Sequence, residues 1–169
     1  MKTDNLPLTP RAIIDELKRC HITHIVLLPD TGTRYIYESL QSEGDFTLVP
    51  VCREGEAIAV AAGLILGGKK PVVLHQNTGF FESGDSVRGL ALGYQLPLLL
   101  LISWRGWRRD TPMTDSAAIF IEPNVAAWGI KYYVVDSDEN VDRISSAYKE
   151  AHETQETVAI LIAKEGRSA

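Results

Sequence analysis

Cys52-Arg53-Glu54-Gly55-Glu56-Ala57-Ile58-Ala59-Val60-Ala61-Ala62-Gly63-Leu64-Ile65-Leu66-Gly67-Gly68-Lys69-Lys70-Pro71-Val72-Val73-Leu74-His75-Gln76-Asn77-Thr78-Gly79 packs a helix, its stop and a strand into residues 52–79. Glu54 to Leu66 places Ala57, Ile58, Ala61, Ala62 and Leu64 at helical spacing, and Gly67-Gly68 ends the run. Its small residues predict a helix packed very closely. Residues 71–75 are then apolar without the alternation of a half-exposed strand, so that strand is expected to be buried on both faces. It closes in a turn at Gln76-Asn77-Thr78-Gly79.

Outward from there the same pattern repeats. Residues 24–28, 46–51, 98–103, 131–135 and 157–163 read as further apolar strands. Thr9-Pro10 caps and starts a first helix through Ile13, Ile14 and Leu17. A second helix runs through Tyr35, Ile36 and Leu40. A last one, capped within residues 136–138, runs through Val141, Ile144 and Tyr148. Strand and helix alternate throughout, which predicts an α/β fold: three layers, α-β-α, around a mostly parallel sheet of about six strands. Such sheets bind ligands beyond their strand carboxyl ends, here at the loops around Pro29, Cys52, Gln76 and Trp104.

With 169 residues, no repeat and no long linker, residues 1–169 are expected to be one domain. A net charge of -5 argues against nucleic acid as a partner. Cys20 and Cys52 lie far apart, and neither a leader nor an apolar run of membrane length is present, which points to the cytoplasm and to no membrane partner. His21, His24, His75 and His152 form no ligand spacing, so no metal is expected on this chain alone. The glycine-rich phosphate loops and the Gly-x-Ser-x-Gly elbow are absent, which disfavours the usual nucleotide-binding and hydrolase readings.

There remains the acidic helix start. Glu54 is the principal catalytic candidate, its carboxylate aimed at the cleft between the loops; the plainer alternative is that Glu54 and Glu56 only complement the positive helix N-terminus. Glu56, two residues on, projects elsewhere and reads as a surface group.

Arg53-Glu54-Gly55-Glu56-Ala57, Ala61-Ala62-Gly63, Gly67-Gly68-Lys69-Lys70-Pro71, Gln76-Asn77-Thr78-Gly79 and the strand Leu98-Leu99-Leu100-Leu101-Ile102 before Trp104-Arg105-Gly106 together resemble the pyrimidine-binding domain of thiamine-diphosphate-dependent decarboxylases. The resemblance covers nearly the whole chain and is nearest to sulfopyruvate decarboxylase α subunits and the N-terminal half of phosphonopyruvate decarboxylases. It implies that Glu54 bonds the aminopyrimidine ring nitrogen and promotes the imino tautomer, whose nitrogen removes the thiazolium C2 proton. Such a bond is strongest where water is excluded.

The resemblance also implies cofactor contacts from Pro29, Asp30, Thr78 and Gly79, and substrate contacts from His75, Gln76, Asn77 and Arg105. Each has a structural alternative: a turn or helix cap for residues 29–31, an ordinary turn for Gln76 and Asn77, the core for His75, and a solvated or docking loop for Arg105, Arg108 and Arg109. Trp104 and Trp107 are either anchors for a partner or, for Trp104, core. The family's Gly-Asp-Gly motif for Mg²⁺ and diphosphate is absent here, so a β subunit is expected to carry it, making the assembly a hetero-oligomer of α and β chains. Partner docking is expected through the helices around Glu54 and residues 83–92.

The activity implied is decarboxylation of a small 2-oxoacid, with a carboligase subunit, a noncatalytic regulatory module or, more remotely, a flavodoxin-like small-ligand binder as alternatives. Two departures from the pattern stand out. After Gly79 the family continues with small residues and asparagine, where this chain has Phe80-Phe81-Glu82, which predicts a more apolar pocket. After Gly106 it lacks the Asp-Glu-Pro-Gln-His-like segment.

Overall fold

A computed structural model describes residues 7–164. Strands β1 (His24–Leu27), β2 (Thr47–Pro50), β3 (Pro71–Gln76), β4 (Leu99–Ser103), β5 (Lys131–Val135) and β6 (Val158–Ile162) form one six-stranded sheet in the order β2-β1-β3-β4-β6-β5. Every neighbouring pair is parallel. The helices are α1 (Pro10–Arg19), α2 (Arg34–Glu43), α3 (Glu54–Leu66), α4 (Asn77–Glu82), the single turn α5 (Gly84–Ser86), α6 (Ser116–Ala127) and α7 (Arg143–Thr154). A π-helical segment, Val87–Leu92, continues α5.

The two faces of the sheet carry separate cores. Ile13, Leu17, Ile36, Leu40 and Ile144 of α1, α2 and α7 pack on Ile25, Leu27, Leu74, Leu99 and Leu101. Ala57, Ile58, Ala61, Phe80 and Ile121 of α3, α4 and α6 pack on Val26, Val73, Leu100 and Ile102. Consecutive strand residues thus serve opposite cores, which is why these strands read as unbroken apolar runs. The rims behave as edges must: β2 is short and exposes Thr47 and Pro50, and β5 exposes Lys131.

Local signals set the element ends. Thr9 Oγ1 accepts from Ala12 N at 3.2 Å ahead of Pro10. At the end of α3, Gly68 takes φ +72°, letting Lys69 N reach Leu64 O at 2.9 Å. Before α7 the cap forms differently from expectation. Asn140 Oδ1 accepts from Asp136 N at 3.2 Å and from Ser137 N at 3.4 Å around a 3₁₀ turn, while Asp138 Oδ1 accepts from Thr9 N at 2.7 Å and ties it to the start of α1.

A second difference concerns residues 77–82, which form helix α4 instead of a turn. Asn77 Oδ1 accepts from Thr78 N at 3.1 Å, and the Asn77 amide donates to Arg105 O at 2.9 Å, so the chain turns into a helix as soon as β3 ends.

The connection after β1 leads to α2 on one face and the connection after β3 leads to α4 on the other. These adjacent strands therefore diverge at their carboxyl ends, and the crevice so opened is where a sheet of this kind takes its ligand.

Candidate active site

Glu54 is the first residue of α3, reached from β2 through an extended Arg53 at φ -145°. It is half-buried, and its carboxylate takes no hydrogen bond from the other described residues. Its side chain runs along Gly79 of α4. A Cβ built on Gly79 would lie 2.6 Å from Glu54 Cγ and 2.8 Å from Oε1. The two helices meet there with no space for a side chain on α4, so Gly79 sets the path of the Glu54 carboxylate.

The neighbouring glutamate has a structural task. Glu56 is exposed, as a surface group, and its Oε2 also accepts from Cys52 N at 3.0 Å, closing the bend into α3. Glu82, singled out in the sequence only as a departure, reaches the same helix start from α4. The Arg53 guanidinium, and after it the Gly55 amide, hold the Glu82 carboxyl below the usual carboxylate range.

The loop after β1 forms the other wall. Asp30 Oδ1 accepts from Thr33 N at 2.8 Å, and Ser103 Oγ donates to Gly32 O at 2.9 Å. Gly32 passes close to Gln76: a Cβ there would stand 3.1 Å from Gln76 Oε1 and 3.3 Å from Asp30 Oδ1. Asp30 Oδ2, Thr33 Oγ1 and Gln76 Oε1 are buried without a partner among the described residues. Buried acceptors without donors are costly, so oxygens left this way at a strand-end crevice suit a ligand that brings N–H groups. Pro29 and Thr31 are exposed on the outer flank.

Other candidates lie deeper than the sequence suggested. His75 points into the core beneath α4, fully buried, edge-on to Phe80 at 6.2 Å, and neither ring nitrogen has a hydrogen-bond partner among the described residues. Burial pushes its pKa down to about 4, so it is neutral at physiological pH. Phe80 is fully buried too, 5.4 Å from Trp128, and belongs to the core; the more apolar pocket expected from it is not formed by this ring. Asn77 is fully buried, with its amide committed to the Arg105 carbonyl. Thr78 is half-buried at the first turn of α4.

Arg105 pairs with Asp115 at 3.1 Å, and Arg109 pairs with Asp136 at 2.9 Å while lying 5.5 Å over the Trp107 ring. Trp104 is a core residue whose indole donates to Ala118 O at 2.9 Å. Gly106 allows the bend, with φ +83° and an added Cβ only 2.7 Å from Asp115 Cβ. Gly106→Ala is therefore expected to lower the unfolding free energy by about 2 kcal/mol, read from urea denaturation, because left-handed backbone strain and a close contact add.

A half-buried carboxylate at a helix start, set against a glycine at the diverging ends of two parallel strands, defines an α/β domain with a small-molecule site at its sheet edge. The chain belongs to the family described as thiamine pyrophosphate enzyme, N-terminal TPP binding domain, whose model matches residues 9–117. Thiamine diphosphate is the cofactor of this family. The residues suit it: an aminopyrimidine would bring N–H donors to oxygens of the crevice that have no partner among the described residues.

The sulfopyruvate decarboxylase subunit alpha of Methanocaldococcus jannaschii is 34% identical over 95 residues, 56% of this chain and 56% of that protein. The protein of the same name from Methanococcus maripaludis is 32% identical over 96 residues, 57% of this chain and 55% of that protein. Phosphonopyruvate decarboxylase of Streptomyces viridochromogenes is 31% identical over 80 residues, 47% of this chain and 17% of that protein. The chain thus spans about half the length of the subunit alpha relatives it matches. The crystal structure of benzoylformate decarboxylase from Polynucleobacter necessarius shares the fold, with a TM-score of 0.68 at 20% identity over 95% of this chain and 31% of that one.

Proposed function

We propose that this chain is a single pyrimidine-binding domain serving as the α subunit of a two-chain thiamine-diphosphate-dependent 2-oxoacid decarboxylase of the sulfopyruvate or phosphonopyruvate type. The observation that carries the reading is the Glu54 carboxylate, uncommitted among the described residues, with its side chain running along Gly79. When bound, thiamine diphosphate would supply a thiazolium carbon able to add to a 2-oxoacid carbonyl and a cationic ring able to take up the electron pair released with carbon dioxide. Glu54 holds a proton for the aminopyrimidine ring nitrogen, as a positioned general acid. Pro29, Asp30, Thr78 and Gly79 line the cofactor's pyrimidine. Gln76 is the substrate-side group of this reading; Arg105, paired with Asp115, could reach substrate only by giving up that ion pair, and the buried His75 and Asn77 would shape the site from beneath.

Mg²⁺ and the diphosphate are held mainly by the partner β subunit. Support for a partner comes from the name subunit alpha carried by the relatives and from apolar surface on this chain. Leu66 and Tyr94 are 85% and 74% exposed, and Ile119 and Phe120 are exposed as well. Gly63 and Gly89 face open space. Cytoplasmic residence accords with the free thiols of Cys20 and Cys52. Among the described residues no helix is long and apolar enough to cross a membrane.

The test is turnover of a 2-oxoacid panel, including sulfopyruvate and phosphonopyruvate, by this chain with a candidate β subunit, thiamine diphosphate and Mg²⁺. Activity is expected only in the mixture. Glu54→Gln, which keeps the shape but not the acid, is expected to lower kcat by about 10²-fold or more with the complex intact. Unchanged turnover in that variant refutes the role.

A further inference from the structure

We propose that Glu82 is the positioning residue for Glu54, acting as a cap supplied from α4 to the first turn of α3. The inference rests on the role just given to Glu54 and adds a residue to it. The N-cap residue of α3 leaves the helix N–H groups unsatisfied: Arg53 makes no side-chain bond to the helix, and the Glu56 carboxylate reaches back to Cys52 N, outside it. Glu82 satisfies one of them from 27 residues away, its Oε2 accepting from Gly55 N at 2.8 Å. Its Oε1 meanwhile accepts from Arg53 Nε at 2.9 Å and from the second guanidinium nitrogen. One carboxylate therefore grips the residues on both sides of Glu54.

Helix geometry links this grip to the carboxylate. Gly79 and Glu82 are three residues apart and share a face of α4. Gly79 leaves the gap through which the Glu54 side chain runs, and Glu82 holds the backbone from which that side chain starts. Gly55 lets α4 and α5 come close, since a Cβ there would stand 3.1 Å from Ser86 Oγ and 3.5 Å from Glu82 Oε2. The negative charge also suits the positive end of a 13-residue helix. The phenylalanine-glutamate stretch after Gly79, unlike the small residues and asparagine expected there, thus supplies this chain with its own fixture for Glu54.

The experiment compares wild type, Glu82→Ala, Glu82→Asp, Glu82→Gln and Glu54→Gln. In the ¹⁵N-labelled chain alone, amide hydrogen exchange at Gly55 is expected to speed up at least 10-fold in Glu82→Ala and Glu82→Asp, the latter being one methylene too short. Glu82→Gln, which keeps the acceptor, is expected to stay within about 3-fold of wild type. In the complex with the β subunit, hydrogen exchange at C2 of bound thiamine diphosphate is expected to fall 10-fold or more in the Ala and Asp variants, and to recover in Gln.

Wild-type Gly55 protection and C2 exchange in Glu82→Ala and Glu82→Asp would overturn the proposal, as would losses that merely follow the unfolded fraction. If Glu54→Gln lowers C2 exchange while the Glu82 variants do not, only the cap fails. If Glu54→Gln leaves C2 exchange unchanged, the underlying role of Glu54 fails.

Discussion

Gly79→Ala is expected to cost about 10²-fold in turnover while leaving the domain folded. The new methyl would sit 2.6 Å from Glu54 Cγ, 2.8 Å from Oε1 and 3.1 Å from Cδ, closer than carbon and oxygen can approach. What must yield is a side chain, since each of those atoms belongs to Glu54 and none to the backbone. The helix itself tolerates alanine: Gly79 lies within α4 and is not among the positive-φ residues, so replacing it removes a flexible position worth roughly 0.5–1 kcal/mol of helix stability.

Stability and activity should therefore move apart. A 10²-fold loss corresponds to about 2.7 kcal/mol on the barrier, while the melting temperature stays level or rises. Kinetics of the reconstituted complex and a thermal melt of the chain decide it. Full activity would show that Glu54 does not need the path Gly79 leaves open, and unfolding would show that the contact is structural. Gly106→Ala is the contrasting case, because there the clash falls on a left-handed backbone and stability itself should drop.

The second large effect concerns pH. His75 titrates at about 4 in the fold, against about 6.5 when unfolded, because burial disfavours its charged form. Between those values the unfolded chain binds a proton that the native chain refuses. Stability from this residue is therefore complete above pH 6.5 and is lost as pH falls toward 4, by about 3 kcal/mol in all. Carboxylates elsewhere also change with acid, so the measurement is a difference. Urea unfolding at pH 7.5 and pH 4.5 is compared for wild type and His75→Met, which fills the site without polar atoms.

Wild type should lose about 2–3 kcal/mol more than the variant across that interval. His75→Met should also be the more stable protein at pH 7.5, since both imidazole nitrogens are buried without partners. Equal losses in the two proteins would mean that His75 finds a proton-stabilising partner in solution.

Much of the architecture is written locally. Glu54–Leu66 as a helix and Lys131–Val135 as a strand stand where periodicity and the stop signals put them, because burial on one or both faces imposes a repeat that a short window reveals. The ligand edge of the sheet follows from the same alternation, and Glu54 stands out there as an acid opening a small-residue helix. Residues 77–82 misled, since Gln-Asn-Thr-Gly carries the chemistry of a turn. The helix instead starts at Asn77, whose amide is tied to the Arg105 carbonyl 28 residues on. Glu82 showed in the sequence only as an acid where small residues were expected, and Arg53, which it grips, lies 29 residues before it.

By itself, the sequence determined the parallel α/β sheet, the start of α3 and the presence of an acid at its carboxyl edge, all of which depend on neighbours a few residues apart. The tertiary structure alone decided that Gly79 guides Glu54, that Arg105 is spent on Asp115, that Phe80 is core and that His75 is buried without a partner. Each of those depends on which side chains the packed layers bring into contact, and a one-dimensional pattern carries the period of burial but not the identity of the atom on the other side.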